Sequence, residues 1–159
     1  MEIVIQVNKE LGKISAYDDR NAKTYTIEEL QNLASKGDAA AQKAMGDYFH
    51  EIQNDDESLA WHKKAAESGN AKAQWHIGVR YFAGLGVKKD LDEAMEWFRK
   101  AAEQGDAGGQ CGLGGCYMGK KDFVNAKPWL EKAAAQGHVD AKKMLELVST
   151  FLKANYNPK

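Results

Sequence analysis

Cysteine is scarce and neither sign of charge is in excess. The 159 residues hold two cysteines, and 22 Lys and Arg face 23 Asp and Glu, for a net charge of −1. Cys111 and Cys116 stand five positions apart. On one helix, at about 100° per residue, they point well away from each other, which argues against an intrachain disulfide. Reduced thiols fit a cytoplasmic setting. The basic residues are scattered rather than gathered into a stripe, so nucleic-acid binding is disfavoured. No stretch reaches the roughly 18 consecutive apolar residues that a membrane-spanning helix needs. The beginning of the chain has an acidic second residue, Glu2, and only a short β-branched run over residues 3–7. It lacks the charged start and apolar stretch of a signal peptide. The expectation is a cytoplasmic, monomeric protein, with secretion or delivery into a host left open.

What the chain does have is a repeat. Trp61, Ala65, Ala66 and Gly69 recur as Trp97, Ala101, Ala102 and Gly105, and again as Trp129, Ala133, Ala134 and Gly137. The tryptophans are 36 and 32 residues apart, within the period of helical-pair solenoids. A second block precedes each tryptophan block, and its apolar, small and aromatic positions fall on one helical face, as at Ile77, Gly78 and Tyr81. Each unit therefore reads as a helix A, a loop, a helix B and a terminating glycine. The resulting division is residues 1–25 as an N-terminal extension, 26–38 as an opening helix, then repeats over 39–70, 71–106 and 107–138. Residues 139–159 form a closing helix and tail, because Glu146 replaces the packing glycine there and terminal repeats act as caps.

Thr26 and Glu29 form a capping box that starts the opening helix, and Gly37 ends it. Residues 3–7, 14–17 and 24–25 read as strands, with turns over 8–12 and 18–21. Pro128 is harmless if its helix begins near Asn125 and a source of kinking if it lies deeper. Helix A of the third repeat carries Gly108, Gly109, Gly112, Gly114 and Gly115. Apart from the packing glycine, Gly114, each costs about 1 kcal/mol against alanine in an exposed helix interior. Two readings stand: close approach of a neighbour along this helix, or a locally weak helix.

The chain resembles the Sel1-like repeat family, relatives of the tetratricopeptide repeats. The second copy carries the resemblance throughout, from Ala71, Ala73, Gln74, Gly78 and Tyr81 through Gly84, Gly86, Val87 and Asp90 to Ala94, Trp97, Lys100 and Gly105. The first and third lack four residues of the loop that holds Gly84 to Val87. The resemblance covers about residues 26–152. It implies an all-α fold: a right-handed α-α superhelical solenoid of about three Sel1-like repeats with capping helices. It says nothing about residues 1–25, whose short β-like extension rests on the strand alternation alone. It also implies a non-enzymatic adaptor or scaffold for a protein or peptide partner, bound on the concave helix A face, with no cofactor.

Mapped onto this chain, that face selects Lys72, Trp75, Val79 and Phe82 in the second repeat. The third repeat offers Gly108, Cys111, Gly115 and Met118, the closing helix Asp140, Lys143 and Leu147. The first is polar there, with Lys43, Asp47, His50 and Glu51. Exposed apolar residues on a repeated face point to a ligand or to a covering segment, and the strand of residues 3–7 or the C-terminal tail is the chain's own candidate cover. The alternative within the binding class is a dedicated inhibitor or immunity-type protein for one target.

Other chemistry finds little support. Residues 114–120 imitate a phosphate-binding loop, but Lys121 stands where Ser or Thr belongs and no strand precedes it. His50, His62, His76 and His138 fall in different segments without metal-ligand spacing, so no metal site is expected. Asp55, Asp56 and Glu57 read as a favourable helix start. Some cysteine-rich family relatives are linked to penicillin binding, which makes a β-lactam-acting enzyme the rival class. No serine here has Lys three residues on, and no base stands beside Cys111.

Overall fold

A computed structural model describes the backbone of residues 3–8, 13–18 and 23–155, and side chains from Thr24 to Asn155. Three strands come first: β1 (Ile3–Asn8), β2 (Lys13–Asp18) and β3 (Lys23–Tyr25). They form one antiparallel sheet in chain order, with Ile3 opposite Asp18 and Ala16 opposite Tyr25. The strands thus agree with the sequence reading, whereas the two turns fall partly outside the described residues. Eight helices follow: α1 (Ile27–Ser35), α2 (Ala39–Glu51), α3 (Asp55–Glu67), α4 (Ala71–Ala83), α5 (Leu91–Glu103), α6 (Ala107–Gly119), α7 (Phe123–Ala135) and α8 (Val139–Asn155). The chain makes two compact units, residues 1–77 and 78–159, and the division falls inside α4.

One connector, used four times, explains the regular helix lengths. Gly37, Gly69, Gly105 and Gly137 take φ values of 92, 90, 89 and 90°, a region open to glycine at little cost. Each gives its N–H to the carbonyl three residues back, and the next residue gives its own to the carbonyl five back, as in Asp38 to Leu33 and Asp106 to Ala101. This pair of hydrogen bonds closes the old helix. The same next residue then caps the new one: Asp38, Asn70 and Asp106 accept from the N–H of Ala41, Ala73 and Gly109. Polar residues after glycine are what such a cap requires.

In the first unit, α1 starts at the Thr26–Glu29 capping box. Its Leu30 and Ala34 pack with Ala40, Ala41, Ala44 and Met45 of α2. The strand β1 lies beside α2, and β2 and β3 beside α1. In the second unit, Leu130 and Ala133 of α7 join Cys111 of α6 and Ala141 and Val148 of α8 in one core cluster. Here Pro128 departs from the harmless option. α7 begins at Phe123, so the proline sits in the second turn. It removes the hydrogen bond otherwise given to the carbonyl of Val124. Both residues are exposed, so the loss falls on the solvent side.

Candidate functional site

Helix A and helix B meet at a glycine in every repeat. A Cβ built on Gly46 falls 2.6 Å from the His62 ring, one on Gly78 falls 2.6 Å from Phe98, and one on Gly114 falls 2.7 Å from Leu130. Each opposing residue directly follows the repeat tryptophan, so one face of helix B is fixed against one face of helix A. The tryptophan itself is half-buried, and Lys64, Lys100 and Lys132 lie 4.3, 4.1 and 4.4 Å from the Trp61, Trp97 and Trp129 ring centres. A buried glutamine joins neighbouring repeats. Gln42, Gln74 and Gln110 donate from Nε2 to the carbonyls of Ala34, Ala66 and Ala102. Position 142 of the closing helix is Lys, so the device stops where the stack stops.

The glycine-rich helix resolves mainly in favour of close approach. A Cβ at Gly109 would lie 2.6 Å from Ala101 Cβ and 2.8 Å from the Ala102 nitrogen, and one at Gly112 would lie 2.8 Å from Phe98. Gly115 differs, since only Met144 Sδ comes as near as 4.0 Å.

The residues selected for the binding face fall into three groups. Lys72 and Phe82 of α4 are exposed, Phe82 to 46%, and Trp75 and Val79 between them are half-buried. Leu85, just beyond α4, is 55% exposed. Gly115 and Met118 of α6 are half-buried, but Cys111 is 7% exposed and belongs to the core cluster. Its selection is corrected: α8 packs over α6 there, and the thiol offers almost no surface. In the first repeat His50 is exposed and 3.7 Å from Asp55. Asp47, by contrast, is engaged from both sides. Lys43 Nζ lies 2.6 Å from its Oδ2, and His62 Nε2 lies 3.0 Å from its Oδ1. A carboxylate only accepts, so the ring donates from Nε2, and its Nδ1 lies 3.3 Å from the Ser58 hydroxyl oxygen. Burial pushes the Asp47 carboxyl up, but the His62 hydrogen bond and the Lys43 charge outweigh it and hold it below the ordinary value.

His76 completes a cluster that sequence spacing missed. Its ring stacks on His62 with centroids 5.0 Å apart and planes 20° apart. The candidate ligand atoms of Asp47, His62 and His76 all lie within 4.8 Å of one another. They come from α2, α3 and α4, so no short motif joins them. The signal was present in the repeat alignment: the same three positions hold Val79, Phe98 and Gly112 in the second repeat, and Gly115, Leu130 and Met144 in the third.

A family model described as Sel1 repeat matches residues 39–70, 71–106 and 107–138. The chain belongs to the Sel1 repeat family. Its helix pairs are those of an α-solenoid repeat protein. It is similar to a Sel1 repeat protein from Oxalobacter formigenes, with a TM-score of 0.69 and 40% identity over 76% of this chain and 96% of that one. It is also similar to c5321, a protective antigen of uropathogenic Escherichia coli strains displaying the same repeat fold. There the TM-score is 0.71 and the identity 30%, over 85% of this chain and 30% of that one. Among curated proteins it is 34% identical over 68 residues to the ERAD-associated E3 ubiquitin-protein ligase component HRD3 of Candida glabrata. That match takes 43% of this chain and spans 8% of the yeast protein's length. Sel1 repeat proteins generally mediate protein–protein interactions and typically serve as non-catalytic scaffolds. Among the described residues, no helix is long and apolar enough to cross a membrane.

Proposed function

We propose that this chain is a non-enzymatic interaction module that holds a protein or peptide partner on the helix A face, centred on α4. The observation that carries the reading is the run of surface along that helix and its end. Lys72 and Phe82 are exposed, Trp75 and Val79 are partly open between them, and Leu85 follows. Aromatic anchors flanked by polar groups are the usual energetic centre of a protein interface. Exposed apolar residues on a face that the repeat presents point to an interaction site. Met118 of α6 adds an adaptable thioether to the same repeat position as Phe82.

The strand β1 has α2 as a helix neighbour, and α2 belongs to the repeat whose helix A face is polar. Affinity capture from lysate with wild type and a Lys72→Glu/Phe82→Asp variant tests the reading. A protein retained by wild type and lost from the variant is the expected result. Equal retention of every captured protein would place binding elsewhere.

A further inference from the structure

We propose that Asp47, His62 and His76 form a half-buried binding site for one divalent transition-metal ion of the zinc class, made by α2, α3 and α4 within the first unit. Two imidazoles and a carboxylate are the ligand set that zinc and its first-row neighbours take. All three side chains lie on helices, Asp47 on α2, His62 on α3 and His76 on α4, rather than on a loop.

The geometry is close to what such an ion needs. Bonds of about 2.0–2.1 Å in a tetrahedron put ligand atoms roughly 3.4 Å apart. The Asp47–His62 pair is at 3.0 Å and the whole set within 4.8 Å; the His76 ring, stacked on His62 in the metal-free site, turns out of the stack to bring a nitrogen lone pair onto the ion. The ion takes the Nε2 lone pair of the His62 tautomer whose single proton sits on Nδ1, so the proton on Nε2 in the metal-free site gives way to one on Nδ1 by exchange with water. Nδ1 then donates to Ser58 Oγ, 3.3 Å away. Ser58 is fully buried and His62 is 3% exposed. A held second nitrogen of this kind orients a metal-binding histidine and raises its basicity. Lys43 keeps its hold on Oδ2, leaving Oδ1 to the ion, with water as the fourth ligand.

The repeat comparison supplies an independent argument. The second and third repeats fill these positions with Val79, Phe98 and Gly112, and with Gly115, Leu130 and Met144. Hydrocarbon is therefore sufficient for the fold here. Exchanging it for two imidazoles and a carboxylate costs desolvation, and metal binding gives that exchange a use.

The test is isothermal titration of tag-free, EDTA-stripped full-length protein with Zn²⁺, Mg²⁺ as control, and Co²⁺ for its absorption spectrum. The proposal expects one Zn²⁺ per chain, a higher melting temperature with Zn²⁺, the intense visible bands of tetrahedral Co²⁺, and no Mg²⁺ binding. His76→Gln and Asp47→Asn, each checked for wild-type circular dichroism, should lose the site. Ser58→Ala should weaken it about 10- to 100-fold. Absence of Zn²⁺ binding by wild type, or undiminished binding by a folded His76→Gln variant, would overturn the assignment.

Discussion

The Phe98 ring fills the space that a side chain at Gly78 would need, for a Cβ at Gly78 would fall 2.6 Å from Phe98 Cδ1. The same ring blocks Gly112, where a Cβ would fall 2.8 Å away. One aromatic on α5 thus requires glycine on both α4 and α6. Alanine at Gly78 gains about 1 kcal/mol of helix propensity but must displace a ring held on both sides. The expected net effect of Gly78→Ala is a loss of about 1–2 kcal/mol by urea denaturation.

Gly115 is the control on the neighbouring helix face. It sits in a helix interior with only Met144 Sδ near, at 4.0 Å. Gly115→Ala should stabilise the protein by about 0.5–1 kcal/mol in the same assay. A loss there would mean that α6 is more tightly covered than the distances indicate.

The glutamine bridge can be tested at Gln110, which donates to the Ala102 carbonyl and accepts from Gln136 Nε2 at 2.9 Å. Gln110→Ala leaves a buried carbonyl without its donor and should cost about 1–3 kcal/mol. Gln136→Ala, a change at an exposed residue, should cost less than about 1 kcal/mol.

Much of this was readable from the sequence because the repeat states its own geometry. Gly78 and Trp97 fix where helix A meets helix B, Gly105 followed by Asp106 fixes the connector, and Thr26 with Glu29 fixes the first helix start. The cluster of Asp47, His62 and His76 was not read, since its members are distant in sequence and meet only when three helices pack. Cys111 was misplaced because helical spacing puts it on the Trp75 face, while the packing of α8 buries that position. Gln53 and Lys121 take left-handed backbone conformations, with φ of 61 and 59°, in loops where Gly84 has φ of 75° in the longer second repeat. Neither residue type announces that conformation.

Acid should reveal the Asp47 ion pair. Its folded-state value is depressed, so the carboxylate adds stability above its ordinary value of 3.8, and the gain is lost as the pH falls through the lower folded value. With EDTA present, Asp47→Asn should be about 1–3 kcal/mol less stable than wild type at pH 7. The gap should narrow as the pH falls from about 5 to 2. A gap constant over that range would exclude the ion pair as its cause.

Thiol chemistry reports on the second unit. Cys116 is fully buried, and burial pushes its thiol up from 9.0 to about 11, roughly a hundredfold less thiolate at pH 8 than for an ordinary cysteine. Burial, then the Asp140 charge, raises Cys111 too. Ellman's reagent should modify neither quickly until urea unfolds the chain.

The account centres on α4 as the surface that holds a partner. The most direct measurement is the dissociation constant of the captured protein for wild type and for Lys72→Glu/Phe82→Asp, with melting temperatures recorded alongside. The account predicts at least about a 30-fold loss of affinity, as for a hot-spot anchor, with melting unchanged. Equal affinities for the two folded proteins would contradict it.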